Sequence, residues 1–207
     1  MFAVPACHTT RDILIRDTSS SFMKALQSLG IGSVILAAAA CAGIEQRQPL
    51  ATVAFVDLSQ YSGTWYEIAR LPMWFQRHCV DSKAIYTTRA DGTVGVHNEC
   101  RTDRGGLDQV DGVATIVDQK TNARLTVVFD NFFARLFGSP REGNYWILDL
   151  DPDYRVAMVG TPDRRYLWIL SRTPRLDEPT YELLVTKAVG LGFPVKDLIR
   201  TTRSSPP

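Results

Sequence analysis

The chain lacks most of what would mark it as an enzyme, a nucleic-acid binder or a membrane-spanning protein. There is no Gly-x-Ser-x-Gly elbow and no His-Glu-x-x-His pair, so neither a serine-hydrolase nucleophile nor a metalloprotease helix is written in it. Charge of one sign is missing too. Lys and Arg total 23 against 22 Asp and Glu, which argues against nucleic acid as the main partner, since that would want a basic stripe. The longest apolar run, residues 29–40, is too short to cross a bilayer as a helix. No internal repeat is visible. Low complexity is confined to the alanine run at 37–40. Hydrophobic residues make up 45% and aromatic residues 10% of the 207 positions, an ordinary composition for one globular domain plus an extra segment.

That extra segment is the amino-terminal end. Lys24 precedes the apolar run, which ends Ala38-Ala39-Ala40-Cys41, the layout of a secretory signal. Small residues ahead of a cysteine are also the pattern read by the bacterial lipoprotein-processing machinery. Residues 1–40 are therefore expected to be a leader, and Cys41 the acylated mature terminus, carrying palmitate-type chains. An ordinary cleaved signal and a short anchor are the rival readings. Met23-Lys24 offers a tidier start for such a leader than Met1. Residues 41–54 read as a tether, 55–202 as the folded domain and 203–207 as a tail.

Cysteine is scarce, with four in all. Cys7 lies in the leader and Cys41 is assigned to lipid, which leaves Cys79 and Cys100. In an oxidising compartment these two are expected to form a disulfide. His78-Cys79 and His97 with Cys100 suggest a metal site as the rival. Adjacent residues of a strand point to opposite faces, however, and four ligands would not converge. No metal and no cofactor are expected.

Short strands then follow one another at regular spacing. Trp65–Leu71, Ala84–Thr88, Thr93–Cys100, Val110–Val117, Arg124–Phe129, Tyr145–Leu150, Arg155–Val159 and Tyr166–Arg172 are rich in aromatic and branched residues. Asp91-Gly92 is a hairpin signal, and Asp151-Pro152-Asp153 suits a type I turn. Eight strands joined by short turns predict an all-β, up-and-down antiparallel barrel, closed on itself so that no edge is left bare. Asp57 is placed to cap a helical turn just before the first strand. After the last, Glu178-Pro179 opens a helix whose Tyr181, Leu184, Val185 and Ala188 share one face, with Gly190 near its end. That helix is expected outside the barrel, and residues 195–201 add a last short strand.

Three stretches now combine. Gly63-Thr64-Trp65, the turn Leu150-Asp151-Pro152-Asp153-Tyr154, and Ser171-Arg172-Thr173 resemble, in order and spacing, the three signature regions of the lipocalins. The longer runs Gly63–Arg70 and Tyr166–Pro174 are similar to those of bacterial outer-membrane lipocalins and apolipoprotein D. Leu150-Asp151 departs from the Thr-Asp of many members. The resemblance implies an eight-stranded calyx with Arg172 lying across Trp65 at the closed end, and Asp151 and Tyr154 in a loop at that same end.

Alternation along the strands suggests the lining. Glu67 and Ala69 are expected to face inward with Trp65. So are Ala84, Tyr86 and Thr88; Val94, Val96 and Asn98; Leu125, Val127 and Phe129; Trp146 and Leu148; Trp168 and Leu170. The same sets would equally fill the core of a small barrel. As pocket walls, Glu67, Tyr86, Asn98, Val127, Phe129, Trp146, Leu148 and Trp168 would hold an apolar chain, with the polar members orienting a headgroup. Similarity to apolipoprotein D favours Tyr86, Asn98 and Trp168. The apolar stretches 71–75 and 129–137 are expected at the mouth, where exposed aromatics would meet a membrane or a second copy of the chain. The leading expectation is a non-enzymatic carrier of fatty acids or lysophospholipids, anchored in the outer membrane and serving envelope maintenance. A haem or pigment binder, with His78 or His97 as ligand, and a lipocalin-type enzyme are the alternatives.

Overall fold

A computed structural model describes residues 48–130 and 141–201 of the chain. The leader, Cys41, positions 131–137 of the second mouth stretch and the tail at 203–207 lie outside the described residues.

The short helix α1 (Leu58–Tyr61) comes first, capped by the Asp57 carboxylate accepting from the Ser59 amide. The strands are β1 (Gly63–Arg70), β2 (Cys79–Thr88), β3 (Val94–Thr102), β4 (Leu107–Ile116), β5 (Arg124–Phe129), β6 (Tyr145–Leu150), β7 (Val156–Gly160) and β8 (Leu167–Ser171). Each pairs antiparallel with the next, and β1 closes the ring by pairing with both β2 and β8. The expected eight-stranded up-and-down barrel is therefore what the chain forms. Its turns use the anticipated chemistry. The Asp91 carboxylate accepts from the Thr93 amide in the β2–β3 hairpin. Asp151 accepts from the Arg155 and Val156 amides between β6 and β7, and Tyr154 takes a left-handed φ of 56° there.

Helix α2 (Glu178–Gly190) follows the barrel, with Asp177 as its N-cap and Pro179 in its first turn. Leu191 closes it, and Gly192 supplies the left-handed φ of 81° beyond. Leu184 and Ala188 are buried, with Tyr181 and Val185 packed beside them. This is the apolar face read from the sequence. A two-residue strand, β9 (Ile199–Arg200), then pairs with the end of β1.

Two apolar layers hold the domain. The inner one fills the barrel around Trp65, Tyr61, Tyr86, Val96, Leu125, Ile147 and Leu170. The outer one lies between the barrel wall and α2 and includes Ile68, Ala69, Leu71, Met158, Ile169 and Phe193. Gly160 makes room for it, since a Cβ there would meet the Phe193 ring at 2.7 Å.

The second layer corrects two expectations. Trp146 and Leu148 belong to it, whereas Tyr145 and Ile147 point into the barrel. Trp146 is held on the outside by the Arg124 guanidinium, 4.2 Å from its ring centre, and by its indole N–H donating to the Glu142 carbonyl. Ala69 is the second case. The register of β1 against β8 slips between Glu67 and Ala69, and such a bulge turns the following residues over. Ala69 therefore faces the outer layer. Arg70, paired with Trp168, faces inward instead.

Candidate functional site

The closed end of the barrel is built from residues far apart in sequence. Trp65 is fully buried, and the Arg172 guanidinium stacks 4.0 Å from its ring centre. Arg172 also donates to the carbonyls of Tyr154, Thr64 and Gln60, at 3.1, 3.0 and 2.6 Å. It thereby pins β1, the β6–β7 loop and α1 together. Partial burial lowers its pKa, and the neighbouring Tyr61 partly offsets this. The Trp65 indole donates to the Tyr61 carbonyl at 2.7 Å, and the Tyr154 hydroxyl accepts from the Asp57 amide at 2.9 Å. Gly63 is required here. Its φ is 97°, and a Cβ would sit 3.3 Å from Arg172 Nη1.

Above this floor the interior is apolar apart from one cluster. The hydroxyl of Tyr145 lies 2.8 Å from that of Tyr61 and 2.9 Å from that of Tyr86. Burial pushes the pKa of Tyr86 up to about 12, and those of Tyr61 and Tyr145 well above the usual range. All three are phenols, never phenolates, at ordinary pH. Val127 and Phe129 flank the interior on β5, and Trp168 on β8. Next to Val127 the sheet is extended by a side chain. Asn144 accepts from the Val127 amide at 2.8 Å and donates to its carbonyl at 2.9 Å, in place of a strand neighbour.

Towards the open end the lining turns polar. Glu67 and Arg70 are both buried, 3.5 Å apart. Arg70 donates to the carbonyls of Gln76 and Cys79. The Gln76 side-chain amide donates to Glu67 at 3.2 Å, and the Trp168 indole donates to Gln76 Oε1 at 3.4 Å. Thr201 reaches Glu67 at 3.3 Å. Charges taken out of water need such a network, yet within this lining Arg70 Nε and Asn98 Oδ1 are buried with no hydrogen-bond partner among the described residues. The 3-10 turn Trp74–Gln76 roofs this cluster and brings Phe75 to within 6.2 Å of the Tyr166 ring. The expected mouth stretch 71–75 thus delivers Gln76 and Phe75 inward and leaves Trp74 about half exposed.

The β1–β2 seam opens at this end. The two strands pair only from Gly63 to Tyr66, after which β1 is taken over by β9. A groove of about 300 Å3 follows the seam, lined by Arg70, Pro72, Met73, Trp74, Arg77 and Ile199. The disulfide Cys79–Cys100, with Cα atoms 5.5 Å apart, joins β2 to β3 nearby. His97 faces outward, 2.7 Å from Asp111, and His78 lies on the surface beside Asp103. Neither points into the barrel.

Of the residues singled out in the sequence, the structure brings Glu67, Tyr86, Asn98, Val127, Phe129 and Trp168 to the interior wall. It sends Trp146 and Leu148 to the helix side. Arg70, Gln76, Tyr61 and Tyr145 join the interior without having been anticipated. Only the bulge could have revealed Arg70, and no glycine or proline marks it. Tyr145 followed from the same face choice that misplaced Trp146.

A family model described as a lipocalin-like domain matches residues 56–203. The chain is a lipocalin. It is 40% identical over 166 residues to temperature-induced lipocalin-1 of Arabidopsis thaliana, covering 78% of this chain and 87% of that protein. It is 35% identical over 178 residues to the outer membrane lipoprotein Blc of Escherichia coli K12, covering 86% and 96%. Among solved structures, apocrustacyanin C2 superposes with a TM-score of 0.57 at 14% identity, covering 72% of this lipocalin and 81% of that chain. At that identity the likeness speaks for the fold alone. Lipocalins bind small hydrophobic ligands.

Proposed function

We propose that this lipocalin carries a single-chain lipid, a fatty acid or a lysophospholipid, with its chain inside the barrel and its headgroup at the mouth. The observation that carries the reading is the polarity gradient of the interior. Apolar walls from Val96, Val127, Phe129 and Leu170 rise to a buried Glu67–Arg70–Gln76–Trp168 cluster with an unused guanidinium N–H. An amphiphile matches that gradient. Each buried methylene contributes about 0.8 kcal/mol, so burial of part of one chain supports micromolar binding. Arg70, Gln76 and Asn98 would meet the headgroup, and Trp168 the upper chain. Binding rather than catalysis is the role, in keeping with relatives named as lipocalins and lipoproteins.

The setting we infer is the bacterial outer membrane, with the protein tethered through acyl chains on Cys41. Support comes from Ala38-Ala39-Ala40-Cys41 and from the relative named as an outer membrane lipoprotein. Several acyl chains anchor firmly where one does not. Native mass spectrometry of the purified protein is expected to find one co-purifying lipid per chain, and titration with palmitate or lysophosphatidylcholine to saturate at one to one. Failure of single-chain lipids of every length to bind would remove the reading. Cys41→Ser is expected to free the protein from the membrane fraction; an unchanged distribution would remove the anchor.

A further inference from the structure

We propose that the three buried tyrosines form a subsite for a neutral oxygen at the inner end of the ligand, a hydroxyl or a carbonyl. The inference rests on the carrier reading and sharpens it: the favoured ligand is a lipid oxidised or hydroxylated away from its headgroup.

Tyr61, Tyr86 and Tyr145 hold three phenolic protons, because burial keeps all of them un-ionised. The trio makes two contacts, Tyr61–Tyr145 at 2.8 Å and Tyr86–Tyr145 at 2.9 Å. Two contacts use two protons. If both outer hydroxyls donate to Tyr145, the Tyr145 proton is left over. If Tyr145 donates to one neighbour, the other neighbour donates to Tyr145 and the proton of the accepting neighbour is left over. In every arrangement one O–H donor is unused by the trio, and phenolic oxygens retain acceptor capacity as well. A buried donor without a partner is costly; the surrounding Leu58, Val94, Ala114, Leu125 and Val127 side chains provide none, and the Ser62 hydroxyl beside them is engaged with the Leu58 carbonyl at 2.8 Å.

Space at the same place fits the chemistry. A cavity of about 10 Å3 is lined by all three tyrosines together with those apolar side chains and Ser62. That is the scale of a single water or one ligand oxygen. The rings themselves are fixed by packing, with Tyr61 centred 4.9 Å from Trp65 and 5.6 Å from Tyr86, and Tyr86 6.0 Å from Tyr145. The donor is thus held in place before any ligand arrives. A carboxylate is the wrong occupant, because burying an unpaired charge costs far more than burying a hydroxyl. Arg172, the cation nearest Tyr61 in effect, is already spent on Trp65 and three carbonyls.

The test compares palmitic acid with its ω-hydroxy analogue, and with the shorter and longer members of both series, by titration of the full-length protein. The parent is expected to bind the best ω-hydroxy acid at least as tightly as the best plain acid. An apolar floor would instead weaken the hydroxylated series roughly tenfold or more, the penalty for a buried hydroxyl with no partner. The variant carrying Tyr61→Phe, Tyr86→Phe and Tyr145→Phe removes all three hydroxyls together and leaves none orphaned. In it the ratio of the two affinities is expected to swing about tenfold towards the plain acid. A tenfold penalty in the parent overturns the subsite without any variant, and so does a ratio that the folded triple variant leaves unchanged. If plain acids bind and only the hydroxylated preference is missing, the carrier reading survives and the subsite falls. If neither series binds, both fall.

Discussion

The two ends of this barrel are built on opposite principles. At the closed end the groups of the three signature stretches are partnered: Trp65 under Arg172, Arg172 on three carbonyls, Tyr154 on the Asp57 amide, Asp151 on the turn amides. At the open end a buried ion pair sits beside Arg70 Nε and Asn98 Oδ1, which have no partner among the described residues. The β1–β2 seam parts there, and a two-residue strand stands in for a full neighbour. The signature groups of one end are spent on holding it together, and the ion-pair cluster of the other keeps some of its capacity unspent. Unspent hydrogen-bonding capacity is what a ligand can use.

If that contrast holds, the largest effects on stability come from the closed half. Alkaline titration reaches it as a whole. The folded pKa values of Tyr61, Tyr86 and Tyr145 are raised by burial. Their contribution to stability is therefore complete below the ordinary tyrosine value of about 10 and drains away as pH climbs from there towards the raised folded values. The domain is expected to unfold on this rise, with Tyr86 protected to about 12 for as long as the fold lasts. Ultraviolet detection of phenolate should show Tyr61, Tyr86 and Tyr145 ionising only as the fold is lost. Ionisation of these three near pH 10, with the fold intact, would break the assignment.

Next in size is Trp65→Ala, which removes a fully buried large aromatic and should cost about 3–5 kcal/mol in denaturant unfolding. Arg172→Ala is expected to cost about 1–3 kcal/mol. The two effects should not add, because contacting side chains couple. Strict additivity in a double-mutant cycle would deny the stacking. Reduction of Cys79–Cys100, separated by 21 residues, is expected to cost about 3 kcal/mol through loop entropy. Its cost should fall on the open end, with hydrogen exchange rising first in β2 and β3.

The smallest effect on stability sharpens the contrast most. Replacing the mouth ion pair as a unit, Glu67→Gln with Arg70→Met, is expected to change unfolding free energy by about 1 kcal/mol or less in either direction, since a buried pair barely repays its desolvation. Lipid affinity should nevertheless fall about tenfold or more. Large destabilisation with unchanged affinity would make the pair a structural element like those at the other end.

The same contrast explains what could be read in the sequence. The closed end is written locally. Gly63 must be glycine, Asp151 must cap a turn, and the eight strands show themselves by composition and by turns such as Asp91-Gly92. The helix face of Tyr181, Leu184, Val185 and Ala188 was equally plain. The site was legible only in part. In β6, Tyr-Trp-Ile-Leu is apolar on both faces because one face lines the barrel and the other lies under α2, so alternation held no polarity cue and Trp146 and Leu148 were placed inside. The apolar stripe on α2 demanded an apolar patch on the outer wall and was the one signal available. In β1 the bulge after Glu67 reversed Ala69 and Arg70. A bulge answers to long-range pairing with β8, which no local run of residues declares.

The central claim is that lipid enters the barrel interior rather than resting on the outer wall, and the misplaced tryptophan makes that claim testable. Trp168 faces the interior below the mouth, while Trp146 lies outside between Arg124 and the helix-side layer. Fluorescence titration with palmitate should be run on the parent, on Trp168→Phe and on Trp146→Phe. The account predicts that Trp168→Phe loses most of the lipid-induced change and that Trp146→Phe keeps it. A change that vanishes with Trp146 and survives without Trp168 would place the lipid on the outer surface and contradict the account.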